Sequence, residues 1–259
     1  MNWTGTTRNN IKIKIIILDF MLLLFLLTAF SMLTLSVILQ NEHNSEAALA
    51  QETVITAVRN MENSHGYSFV VNEETNDYEL KFAGHMVNPD KVIGMFGQYD
   101  LEIYRISDDI FIKNPINQEW EMVNNLEMED LNNFIQSPTG IMKQILNKCP
   151  EPELINKEVM NDTDCLVYLY TPESDERNDF LNTFYPHVSP EWLKNLSLRF
   201  WIREENPYLF KIEFLLSLDI PEYGSQEVCR EILVKSSDQE IIAPSLLKRE
   251  TVKFPAASF

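Results

Sequence analysis

The chain has 259 residues, a formal net charge of -18, and a composition 45% hydrophobic and 23% charged. That composition is globular rather than disordered, and the length suffices for one large domain or two small ones. Charge of this sign repels phosphates, so nucleic acid is excluded as an expected partner, and it disfavours lying flat on an anionic bilayer.

The first 19 residues carry Arg8, Lys12 and Lys14 against Asp19. Phe20 to Leu39 then read "FMLLLFLLTAFSMLTLSVIL", 20 residues without a charge. At about 1.5 Å of rise per residue this spans a hydrocarbon core roughly 30 Å thick. Glu42, Glu46 and Glu52 follow. The basic flank predicts a single-pass protein in the cell membrane: a cytoplasmic N-terminus (1–19), a transmembrane anchor (20–39) and an extracytoplasmic domain (40–259). The competing reading is a cleaved signal peptide, with "ALA" at Ala48 to Ala50 as its cleavage site. Against it, the apolar run is long for a signal core, and the site lies about ten residues past its end. No cysteine stands near the end of the run, so lipid attachment of the bacterial lipoprotein kind is not expected.

Residues 40–63 predict a helix with a narrow apolar stripe, Ala47, Ala48, Val54, Ala57, Val58 and Met61, with Ser45 as N-cap and His65-Gly66 as its stop. The period then changes to two. "YSFVV" sets Tyr67, Phe69 and Val71 on one face, and "YELKF" sets Tyr78, Leu80 and Phe82 on one face, with the turn cluster "NEETND" between them. "YDLEIYRI" and "DIFIKN" predict two more strands around Ser107-Asp108-Asp109, and "QEWEMV" another, with Trp120 as a buried anchor. "SPTGIMKQILNKC" reads as a short helix starting near Ser137 or Thr139. "DCLVYLYT" reads as a strand, and "SDERNDFLNTFYP" and "SPEWLKNL" as short helices punctuated by Pro186 and Pro190. The hairpin Leu196 to Asp219 places Leu196, Leu198, Phe200 and Ile202 on one face. Its second strand places Tyr208, Phe210, Ile212, Phe214, Leu216 and Leu218 on one face. "EVCREILVKSSDQ" is a last long strand and "IIAPS" begins an extended tail. Short turns predict neighbouring strands pairing as a meander. The expected class is α+β, with one large curved antiparallel sheet and short helices on its concave face.

Chemistry-bearing motifs are sparse. His43, His65, His85 and His187 lack HxxxH or HxH spacing, so no metal is expected. Asp108-Asp109 and the stretch Asn161 to Asp164 read as turns rather than calcium loops. GxSxG, P-loop, HExxH and GxGxxG are all missing, so neither an enzyme nor a cofactor is expected. Cys149, Cys165 and Cys229 allow one disulfide and a free thiol, or three thiols. What remains is the apolar sheet face. A plain core fills it, or an acyl chain occupies the part that helices leave uncovered, and burial stabilises either arrangement by about 25 cal/mol per Å².

The segments "NMENSHGYSFVV", "YDLEIYRISDDIFIKNPINQEWEMV", "DTDCLVYLYT", "LRFWIREENPYLFKIEF" and "LVKSSDQEIIAPS" together resemble the LolA/LppX-like lipoprotein-carrier superfamily, over roughly residues 45 to 245. The resemblance implies a half-open antiparallel barrel whose mouth is plugged by helices around an apolar cavity. It implies a non-catalytic role in holding acyl chains of lipids or lipoproteins outside the cytoplasmic membrane. By position, Phe69, Val71, Leu80, Phe82, Leu101, Ile103, Phe200, Ile202, Phe210, Ile212 and Phe214 would line the inner face. The predicted anchor replaces the cleaved leader of diffusible carriers and the lipobox cysteine of related lipoproteins. For an anchored domain the resemblance implies local hand-over of lipid or, as the alternative, an envelope-sensing or regulatory module that partners another membrane protein.

Overall fold

Successive side chains of an extended chain point to opposite faces, so alternating bulky and polar residues specify half-buried strands. The computed structural model describes residues 48–236, apart from 65, 89–90, 108, 124–128 and 149–151. The predicted anchor, the Ser45 cap and the "IIAPS" tail lie outside the described residues. Among those residues, no helix is long and apolar enough to cross a membrane.

Eleven described strands form one antiparallel sheet. The first meander is β1 (Tyr67–Glu74), β2 (Glu79–Asn88), β3 (Lys91–Phe96), β4 (Leu101–Ile106), β5 (Asp109–Lys113) and β6 (Trp120–Met122). The second is β7 (Glu153–Met160), β8 (Thr163–Tyr170), β9 (Leu193–Arg203), β10 (Leu209–Ile220) and β11 (Gly224–Ser236). The spatial order is β6-β5-β4-β3-β2-β1-β11-β10-β9-β8-β7. The meander expectation holds within each half. The two halves join at the centre of the sheet, where β1 pairs β11 from Tyr67↔Ser236 to Glu74↔Cys229.

Among the described residues four α-helices accompany the sheet: α1 (residues 48–62), α2 (Glu129–Phe134), α3 (Pro138–Lys148) and α4 (Ser174–Phe184). The link from β6 to β7 runs from one edge strand to the other and carries α2 and α3. Ser137 caps α3, its Oγ accepting the Gly140 N–H at 3.1 Å. The Tyr67 hydroxyl ties that helix start to β1 through Thr139 Oγ1, at 2.9 Å. Hairpin tips carry residues with positive φ, among them Asp100, Ser107, Asn206 and Glu222. Asn161 and Asp162 both have positive φ between β7 and β8, the backbone that a two-residue hairpin turn requires.

The structure corrects several expectations. "SPEWLKNL" forms only a short 3-10 turn, Pro190–Trp192, and β9 starts at Leu193. "NEETND" is not all turn, because β1 runs through Glu74. Tyr78 is exposed in that turn rather than seated in the sheet. Trp120 is only half-buried, edge-on to Tyr104 at 6.0 Å between centroids. β3 and β7 escaped the sequence reading. β7 is an edge strand exposed along almost all of its length, so it shows no alternation. β3 is interrupted by Gly94, which stands directly opposite Gly84 in β2. The two glycines make room for the fully buried Phe82 ring. A Cβ on Gly94 would lie 2.2 Å from that ring and 2.6 Å from the Ala83 carbonyl oxygen.

Candidate functional site

One face of the sheet is covered by all four helices, and the main apolar core lies between them. Alternation brings most of the expected lining residues there. Phe69, Val71, Phe82, Ile103, Phe200, Ile202, Ile212 and Phe214 are at most 1% exposed. Leu80 and Leu101 are partly buried against the same cluster. Phe210 is the exception. The β9–β10 register shifts between Leu209↔Ile202 and Lys211↔Trp201. That extra residue flips the alternation, as a β-bulge does. Phe210 therefore packs on the opposite face with Cys165, Val167 and Trp201.

Helices supply the other wall. Phe134 at the end of α2 stacks at 5.6 Å from Phe96. Phe180 and Phe184 of α4 lie 5.8 and 5.5 Å from Phe214. Ile141, Met142 and Ile145 of α3 and Val54, Ala57 and Met61 of α1 complete the cluster. A space wide enough for an acyl chain leaves accessible surface on the side chains around it, whether or not it opens to solvent. These eight sheet residues have almost none, so the protein's own helices occupy this part of the face.

The covered face also holds a buried ion pair. Glu73 and Arg230 stand opposite each other across β1 and β11, 6% and 5% exposed. Arg230 donates from Nε and Nη2 to Glu73 Oε2, each at 2.6 Å. The Tyr78 hydroxyl donates to Glu73 Oε1 at 3.1 Å. The guanidinium carbon lies 4.4 Å from the centroid of Tyr185, just past α4, and 5.2 Å from that of Phe134. Burial opposes the charge of Arg230, but the Tyr185 ring against it and the Glu73 carboxylate outweigh that cost and hold the guanidinium cationic. Burial raises the Tyr185 phenol well above its ordinary range, so it stays protonated. Arg230 Nη1 and the Tyr185 hydroxyl have no hydrogen-bond partner among the described residues.

Sequence reading missed this pair, although its signal was present. Glu73 shares the parity of Tyr67, Phe69 and Val71, and Arg230 that of Ile232 and Val234, so each is a charge on an apolar face.

The opposite face is polar over a small apolar patch. Lys211 lies 4.5 Å from the Trp201 ring centroid. It bonds Glu213 at 2.8 Å and also Glu231, while Arg199 reaches Glu213 at 3.4 Å. Glu213, Cys229 and Glu231 bring potential metal-ligating atoms within 4.8 Å of one another. The Lys211 ammonium already supplies the positive charge those carboxylates need. Burial, with Glu213 and Glu231, pushes the Cys229 thiol up to about 11, which leaves it a poor ligand at neutral pH. Cys165 and Cys229 are free thiols, and Cys149 lies outside the described residues. A groove of about 190 Å³ beside Arg203, Phe210 and Lys235 falls below the several hundred Å³ usual for a small-molecule site.

No family model and no curated protein matches the chain. Among solved structures, it is similar to LprF from Mycobacterium bovis at 10% identity, covering 77% of this chain and 97% of that one, with a TM-score of 0.45. The Mycobacterium tuberculosis lipoprotein LppX matches at 10% identity, over 71% and 92%, with a TM-score of 0.43. A domain named for outer membrane lipoprotein sorting, from Vibrio parahaemolyticus, matches at 10% identity, over 76% and 94%, with a TM-score of 0.30. At 10% identity and TM-scores below 0.5, these likenesses assign neither a family nor a function.

Proposed function

We propose that this chain is a non-catalytic, membrane-anchored extracytoplasmic protein that binds lipid or lipoprotein acyl chains beneath its helices. The observation that carries this reading is the construction of the covered face. A broad apolar sheet is roofed by short helices rather than by a second sheet, and α2 and α4 span only 6 and 11 residues. Burial in apolar surroundings stabilises by about 25 cal/mol per Å² whether a helix side chain or an acyl chain provides them. Exchanging Phe134, Phe180 and Phe184 for an acyl chain therefore conserves most of the hydrophobic stabilisation. The small remaining terms then decide occupancy. On this reading the filled face is the closed, unloaded state, and the segment Phe20 to Leu39 holds the domain at the cytoplasmic membrane. Delipidated full-length protein in amphipol should take up a fluorescent phospholipid analogue with saturable, near-equimolar binding. Signal no higher than with empty amphipol would count against the proposal.

One observation favours a second reading. The eight almost fully buried lining residues also suit a sheet whose core is permanently filled, acting as a regulatory module for another membrane protein. Stable copurification with such a protein, without lipid, would support it.

A further inference from the structure

The buried pair Glu73–Arg230 leaves an imbalance of donors. Arg230 is 5% exposed and Tyr185 8% exposed, yet Arg230 Nη1 and the Tyr185 hydroxyl have no hydrogen-bond partner among the described residues. Guanidinium has only donors, and a neutral phenol can donate its one proton. An unmatched buried donor costs about 1–3 kcal/mol, so two on side chains that stack against each other mark a position that an acceptor would stabilise. The place is specific: the guanidinium carbon is 4.4 Å from the Tyr185 ring centroid, on the same sheet face as the apolar core.

Charge selects the acceptor. Glu73 already neutralises Arg230 at 2.6 Å, and the Tyr78 hydroxyl takes the other oxygen of Glu73. The pair is therefore neutral overall. A carboxylate or phosphate brought here would be a second anion beside Glu73 in a buried site, which is unfavourable. A neutral carbonyl oxygen has two lone pairs, no charge to desolvate, and a match for both donors.

We propose that Arg230 Nη1 and the Tyr185 hydroxyl form a receptor for the ester carbonyl of an acyl ligand, so that the protein selects esterified acyl chains over free fatty acids. This inference rests on the acyl-binding reading above. The test uses the full-length chain in amphipol, with binding above an empty-amphipol blank measured for two radiolabelled probes: monostearoyl glycerol, an ester, and stearate, a free acid. At pH 7 the ester should bind about tenfold or more tightly than the acid. Tyr185→Phe removes an unpartnered hydroxyl and keeps the ring, so its urea midpoint should match or exceed that of the wild type. The same variant should weaken the ester about tenfold and move the acid by less than about twofold. Equal binding of both probes by the wild type overturns this inference and leaves the acyl-binding reading standing. So does a Tyr185→Phe variant that binds the ester as well as the wild type does. If neither probe binds the wild type above the blank, the acyl-binding reading fails as well.

Discussion

Phe214→Ala is expected to lower the free energy of unfolding by about 3–5 kcal/mol, the range for truncating a buried phenylalanine. Phe214 has no exposed surface and joins two layers, since both Phe180 and Phe184 of α4 stack against it. Removing the ring opens a void between sheet and helix that neither layer closes without breaking its own hydrogen bonds. Phe210→Ala should cost distinctly less. Phe210 sits in a cluster of four buried side chains on the other face, with Arg203 5.9 Å from its ring centroid. Urea unfolding followed by tryptophan fluorescence checks both. The ranking matters more than either value, because sequence alternation alone puts the two residues on one face. Equal losses would contradict the bulge at Leu209–Lys211.

Glu73→Ala should be as damaging, at about 3–5 kcal/mol, for an electrostatic reason. The substitution removes little apolar surface. It leaves Arg230 charged, buried and without its counter-ion, beneath Tyr185 and Phe134. Replacing both partners, as Glu73→Leu with Arg230→Met, should recover most of that loss, since the desolvation cost disappears along with the attraction. If the double variant were as unstable as Glu73→Ala, the loss would have come from packing and not from a stranded charge. If the double variant instead matched the wild type in stability, the pair would not be kept for stability, consistent with the donor role assigned to Arg230.

Much of this architecture was legible from side-chain rhythm. β1, β9 up to Phe200 and β10 from Phe214 alternate because one face is packed and the other more exposed, and the expected lining residues on them met the core. The rhythm failed where physics suspends it. β7 lies at an edge and is wetted on both faces. β3 yields an inward position to Gly94 so that Phe82 fits. α2 is too short to display a helical period. Phe210 is the extra residue where the β9–β10 register shifts between Leu209 and Lys211, and hydrophobicity does not encode that shift. The pairing of β1 with β11 joins residues more than 150 positions apart (Glu73 and Arg230 are 157 apart), and nothing local encodes it. The ion pair was half legible: parity marks each partner as a charge on an apolar face, but only the register sets the two together.

The account turns on whether the helices over the sheet give way to lipid. Mass spectrometry of organic extracts from full-length protein purified under native conditions tests this most directly. The account predicts an acyl ester retained at close to one per chain, and lost after denaturation. Folded protein whose extracts contain no acyl lipid above that of an unrelated single-pass protein would contradict it.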